Sequence, residues 1–196
     1  MQAENMVEFE RVSFAYGKKR VLKDFSFAVP KGGRICFFGA SGCGKSTVLR
    51  LVCGLEKPGD GTVIVGSKSI RMSFQEDRLL PFLTVRENVA MFASEKDADE
   101  VLSRLGLSEA KNEYPARLSG GMARRASLAR ALAGDADIYI FDEPFGGLDE
   151  ENIRRAAALI NERTAGKTVL SVLHDRSHAA MIGCEIIEMK RIRSLS

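Results

Sequence analysis

Three short runs of the chain carry residue types that could do chemistry on a phosphate. The first is GASGCGKST, Gly39 to Thr47. Gly39, Gly44, Lys45 and Ser46 fit the spacing G-x-x-x-x-G-K-[ST], with the apolar run RICFF before it and a helix-compatible stretch after it. Glycines let the backbone curl from Gly39 through Ala40, Ser41, Gly42 and Cys43 to Gly44, so that several amides point at one anion. The N-terminus of the following helix adds partial positive charge. Lys45 supplies a full charge for β- and γ-phosphates, Ser46 a hydroxyl for Mg²⁺, and Thr47 closes the run. Cys43 reads as a small residue that fits; the alternative is a thiol made more acidic by Lys45 and the helix end.

The second run is IYIFDEP, which sets Asp142 and Glu143 at the C-terminal end of an apolar strand. Open parallel sheets bind ligands at that edge. Asp142 is suited to hold Mg²⁺ through water, and Glu143 to polarise a water for attack on a γ-phosphate. Adjacent carboxylates raise each other's pKa, so the two need different roles. The same pair could also simply open a helix. The third run is RLSGGMARR, where Ser119, Gly120 and Gly121 look like a second anion loop far from Lys45, with Met122 following.

The elements that must position these runs follow from periodicity. MVEFERVSFAYGKKRVLKDFSFAVP alternates apolar and polar residues, as strands joined by a turn at Gly17. RICFFG, IYIF and TVLSVL are continuous apolar runs, typical of strands buried on both faces. TVIV, IRMSFQ and CEIIEM are further strands. Helices are expected from about Lys45 to Cys53, from Gly121 to about Ala133, and over ENIRRAAALINER, where Asp149 is a helix cap. Residues 76–118 change character and read as an inserted helical lobe. The whole is a single domain of α/β class, with a mainly parallel sheet, an N-terminal antiparallel β subdomain, and a core over 1–75 and 119–196.

Bulk properties agree with this and exclude other classes. The 196 residues are 45% hydrophobic and 28% charged, ordinary for a globular domain. A net charge of +3 gives no case for nucleic acid. The four cysteines, Cys36, Cys43, Cys53 and Cys184, show no metal-ligand spacing. With no signal peptide in MQAENMVEF, reduced thiols in the cytoplasm are expected. The longest apolar run is far short of a membrane span, so a membrane link must go through a partner.

Taken in order, GASGCGKST, SFQEDRLLPFLTVRENV, LSGGM, IYIFDEP, GGLD and VLSVLHD resemble the ATP-binding subunits of ABC transporters, from about Val7 to Met189. QEDRLLPFLTVRENVA is most similar to the importers of nitrate, sulfonate and taurine. The resemblance implies a P-loop NTPase (RecA-like) fold and hydrolysis of Mg-ATP. It implies that Tyr16 stacks on adenine, that Gln75 reaches Mg²⁺ and the attacking water, and that His174 contacts the γ-phosphate. The remaining calls it implies are Lys45, Glu143, His174 and Gln75 for catalysis, and Ser46, Gln75 and Asp142 for the metal. It places Ser119, Gly120 and Gly121 on the ATP of a facing subunit, in a homodimer or heterodimer. Integral-membrane permease subunits, an indirect substrate-binding protein and a peripheral position on the inner face of the membrane follow from the same likeness.

Two departures stand out. Met122 takes the place of the commoner Gln, and the chain looks trimmed between Gly61 and Gln75, within the lobe, and after His174. Leu79, Leu80, Phe82 and Leu83 would suit a groove for a permease helix, or plain lobe packing. His178 has no counterpart in the family pattern and reads as a surface residue. The alternatives to an importer are a soluble ABC ATPase without a transporter, and a nucleotide-gated binding module with weak hydrolysis.

Overall fold

The computed structural model describes residues 4–190. Alternating apolar residues make a hairpin of β1 (Asn5–Tyr16) and β2 (Lys19–Pro30), turning at Gly17 with φ 57°. The inward side chains Val7, Phe9, Val12, Leu22 and Val29 are buried. β3 (Arg34–Phe38) runs into the phosphate loop and α1 (Lys45–Val52), and β4 (Asp60–Val65) returns to pair with the free side of β1. This gives an antiparallel sheet of order β2-β1-β4.

β5 (Ile70–Ser73) then enters a second sheet. Two short helices follow, α2 (Val85–Ala90) and α3 (Glu95–Arg104), and then α4 (Gly120–Leu132). β6 (Ile138–Asp142), α5 (Glu150–Arg163), β7 (Thr168–Val172), α6 (Arg176–Met181) and β8 (Glu185–Glu188) complete the chain. The second sheet has the order β5-β6-β7-β3-β8, parallel at every pairing. All its strands therefore end at one edge, which collects Gly39, Gln75, Asp142, Glu143 and His174. β6 and β7 are buried at every residue, as continuous apolar runs in a covered sheet should be.

Two apolar clusters lie on the two faces. One joins α1, β1 and β2 to the sheet through Phe9, Phe37, Val48, Leu49, Ile140 and Leu170. On the other, Val85, Val89, Val101, Leu102 and Leu105 from residues 76–118 meet Leu128 and Leu132 of α4 and Tyr139 and Phe141 of β6. The expected lobe thus packs into the same cluster as the core.

The sequence-based boundaries differ at two strands. IRMSFQ stops pairing at Ser73, because the carbonyls of Phe74 and Gln75 accept hydrogen bonds from Arg124 of α4 rather than from a strand. CEIIEM shrinks to four residues, since the Cys184 amide donates to Ala179 at the end of α6. The proposed groove also changes. Leu79, Leu80 and Leu83 are half-buried, and Leu79 packs on the core cluster. Phe82 is 71% exposed, and it is Met91 and Phe92 that share its exposure.

One buried polar side chain fixes the entry to α2. Asn88 is fully buried; its Oδ1 accepts from the Leu80 amide at 2.7 Å, and its Nδ2 donates to the carbonyls of Leu80, Leu83 and Thr84. Thr84 and Glu87 add a reciprocal capping box, which ties off the same helix end. Asn88→Ala leaves those groups unpaired, and a loss of about 1–3 kcal/mol is expected in urea unfolding.

Candidate active site

The phosphate loop needs glycine at two places for stated reasons. Gly39 has φ 150°, and a Cβ there would lie 2.4 Å from the Met189 carbonyl oxygen. Gly44 caps α1 with φ 107°, and its Cβ would press on Leu22 and Val21 at 3.0 and 3.1 Å. α1 has no side-chain cap and no acidic residue in its first turn, so its N-terminal amides are left to an outside anion. Lys45 bends back over the loop, and its Nζ donates to Gly39 O at 2.7 Å and Ala40 O at 3.2 Å.

Opposite the loop, β6 delivers Asp142 with 4% of its surface exposed. Ser46 Oγ donates to its Oδ1 at 3.2 Å. Burial pushes the Asp142 carboxyl up; the Ser46 bond pulls the other way and the charge of Glu143 adds to the rise. Glu143 sits at φ 53°, left-handed backbone that a non-glycine residue occupies at a cost of order 1–3 kcal/mol. Its amide is held by the Val172 carbonyl at 3.0 Å. That turn aims the carboxylate at the end of β7, where Glu143 Oε1 lies 2.6 Å from His174 Nε2.

Lys45, Ser46, Glu143 and His174 all line one cleft of about 210 Å³. Tyr16, Lys19 and Val21 of the hairpin form one wall, and Ser41, Gly42, Gly44, Lys45, Ser46 and Thr47 form the floor. Gln75, Glu143 and His174 make the far rim. Tyr16 is 42% exposed, with its ring free for a planar ligand and its edge on Phe14 at 4.8 Å between centroids. An aromatic wall, an amide-rich floor with a lysine, and a carboxylate–imidazole pair suit a nucleotide polyphosphate and its attack by water.

Not every residue singled out in the sequence reaches the cleft. Gly39, Ala40, Cys43 and Asp142 are absent from its lining, and Asp142 meets it only through its hydrogen bond to Ser46. Cys43 is 2% exposed and belongs to the apolar cluster; it faces a second cavity of about 300 Å³ behind the loop, with Val21, Leu22, Phe25 and Met189. It is a small packed residue, not a thiol beside Lys45. Ser119, Gly120 and Gly121 also line no part of the cleft. Ser119 caps α4, its Oγ accepting from the Met122 amide at 3.3 Å, and both Ser119 and Gly120 are exposed. A Cβ on Gly120 would meet nothing within 4 Å. The Met122 side chain packs on the core cluster, as do those of Leu118 and Leu148.

Sequence reading missed three residues. Lys19 lines the cleft because the hairpin register pairs it with Tyr16; that spacing across Gly17 was the available signal. His178 is half-buried, not a plain surface residue: its ring meets Phe145 edge-on at 5.3 Å and shares a small cavity with Glu143 and His174. Arg124, which holds the Gln75 backbone, gave no signal at all, since its partners are carbonyls.

Comparison with known proteins agrees with this geometry. The family model described as ABC transporter matches residues 22–146. The aliphatic sulfonates import ATP-binding protein SsuB of Zymomonas mobilis is 39% identical over 197 residues, covering 94% of this chain and 82% of that protein. The arginine transport ATP-binding protein ArtM of Bacillus subtilis is 34% identical over 209 residues, covering 94% and 87%. The dimeric structure of MJ0796, a bacterial ABC transporter cassette, superposes with a TM-score of 0.86 at 30% identity and covers 94% of both chains. The same cassette in a dimeric post-hydrolysis state bound to ADP and phosphate gives 0.85. The fold is shared with these proteins, and the chain belongs to the ABC transporter family as one of its ATP-hydrolysing cassettes.

Proposed function

We propose that the chain powers the import of a small molecule, hydrolysing Mg-ATP at a site that two cassettes build together. The observation that carries this is the division of the anion-binding parts. The cleft gathers Tyr16, the phosphate loop, Gln75, Glu143 and His174, while the Ser119 loop stands exposed outside it. An exposed loop with unfilled space over Gly120 suits the γ-phosphate held by a facing subunit.

In this reading Tyr16 stacks on the base, and the backbone from Gly39 to Thr47 with Lys45 cradles the phosphates. Glu143 takes a proton from the attacking water, and His174 at 2.6 Å holds its carboxylate in line and reaches the γ-phosphate. Gln75 completes the rim. The Ser46 hydroxyl, the Asp142 carboxylate and the Gln75 amide are hard oxygen donors, and they fit Mg²⁺. Asp142 supports the fit: it is buried, and among the described residues no lysine or arginine pairs with it, which is costly until a cation arrives. When bound, the ion neutralises charge on the β- and γ-phosphates.

The relatives' names support the importer role, and those of SsuB support a sulfonate-type cargo. Exposed Phe82, Met91 and Phe92 on residues 76–118 offer an apolar surface to permease subunits, which a substrate-binding protein would serve from the far side. No helix among the described residues is long and apolar enough to cross a membrane. A peripheral place at the inner face, through the permease, fits that arrangement.

Glu143→Gln keeps the shape and removes the base. It is expected to accumulate as an ATP-bound dimer in light scattering with Mg-ATP; a variant that stays monomeric there would refute the two-chain site for identical chains. Asp142 supplies a second test. Its carboxyl is raised in the folded state, so it opposes folding once pH exceeds the ordinary aspartate value. Asp142→Asn is expected to raise the melting temperature of the nucleotide-free protein at pH 7 while abolishing ATPase activity. The gain should shrink as pH falls to the ordinary aspartate range, where the carboxyl is protonated in both states.

A further inference from the structure

The rim residue Gln75 has no strand partner and no hairpin to hold it. What holds its loop is α4, the helix that begins at Ser119. Arg124 lies one helical turn past Ser119, with only 13% of its side chain exposed. Its Nη1 donates to Phe74 O at 2.8 Å, and its Nη2 donates to Gln75 O. The same guanidinium pairs with Asp77 at 3.3 Å. Further along α4, Arg130 donates to Arg78 O at 2.8 Å and to Asp77 O at 3.3 Å. Four carbonyls of residues 74–78 are therefore taken by two arginines of one helix. The loop is tightened from within: Arg78 sits at φ 46° with its guanidinium 4.3 Å from the Phe74 ring centroid.

The fork geometry matters. A guanidinium presents several donors in a fixed plane, so one side chain can hold two successive carbonyls at once, with the Asp77 carboxylate beside it as a charge contact. A lysine in its place keeps the charge for Asp77 but grips fewer carbonyls. Hydrogen bonds in a half-buried setting are stronger than solvated ones, so α4 holds this loop more firmly than a surface contact would.

We propose that Arg124, supported by Arg130, is a positioning residue that locks the Gln75 loop to α4, so that Gln75 and the Ser119 loop move as one unit. This rests on the reading of Gln75 given above. When two chains close on bound nucleotide, α4 carries Gln75 to its place over its own chain's phosphates. The apolar surface around Phe82 follows the same loop in sequence, so a permease pressing there would act on the same clamp.

The test uses the full chain, with Arg124→Ala, Arg124→Lys and Gln75→Ala measured beside the parent. Hydrogen–deuterium exchange of residues 74–80 reports the clamp, and steady-state ATPase kinetics report its consequence. In Arg124→Ala, exchange across 74–80 is expected to rise while that of β6 and β7 stays at the parent level. Its kcat should fall at least tenfold with KM for ATP within threefold, because the phosphate loop and Tyr16 are untouched. Arg124→Lys, which keeps the Asp77 pair and the fold, should recover kcat to within threefold of the parent and restore part of the protection. Raised exchange with unchanged kcat makes the clamp merely structural and overturns the proposal, as does a fall in kcat with no change in exchange at 74–80. Activity lost in Gln75→Ala but kept in Arg124→Ala overturns the clamp alone. Activity kept in Gln75→Ala removes the catalytic reading of Gln75, and the clamp's catalytic consequence with it.

Discussion

A carboxylate held out of water without a cationic partner is the constraint around which this molecule is built. Asp142 ends the central strand β6 with 4% exposure and one hydroxyl, that of Ser46, against it. Burial of that kind opposes folding unless something charged completes it. β6 and β7 are buried at every position, and Asp142 is the last residue of β6, where it meets Ser46 of the phosphate loop. A second local cost lies one residue on, in the left-handed backbone of Glu143. Both are met by the same parallel sheet, whose register brings Asp142 level with Val172 and so places His174 within reach of Glu143.

The consequence is a half-finished site. The cleft supplies an aromatic wall, a lysine, helix-end amides and a carboxylate–imidazole pair, yet the second Gly-rich loop points into solvent. The two structures of the MJ0796 cassette, of the same fold, are both dimeric. The arginines of α4 then give the exposed loop a mechanical route inward, since Gln75 hangs from the helix that Ser119 starts. Stability, in this scheme, is spent at the edge of the sheet, while apolar clusters on both faces keep the strands in register.

Legibility followed the range of the physics. GASGCGKST could be read from its residues, because its work is done by local backbone and one lysine; the helix after it and the buried strands IYIF and TVLSV were equally plain in their apolar runs. Gln75 and His174 gained meaning only through likeness to a family, since nothing near them in sequence says that their strands end beside Asp142. Lys19 came from a hairpin register and Arg124 from carbonyl acceptors, and a carbonyl has no letter in a sequence. The apolar character of Leu79, Leu80 and Leu83 is consistent with a groove or with lobe packing; Leu79 packs on the core cluster, Leu80 and Leu83 are half-buried, and Phe82 stands outside. Met122 departs from the commoner Gln of the anion loop, and its side chain is a partly buried contact of the core cluster.

The claim on which the rest turns is that Ser119 of one chain serves the nucleotide held by Lys45 of another. Mixing two inactive variants tests it directly. Lys45→Ala chains lack the phosphate grip, and Ser119→Arg chains lack the facing loop, but a dimer containing one of each keeps one complete site. Lys45 of the second chain there meets Ser119 of the first. ATPase activity that neither variant shows alone, appearing on mixing and growing toward equal proportions, is the expected result. Full activity of Ser119→Arg by itself would contradict the shared site, and so would a mixture as inactive as its parts.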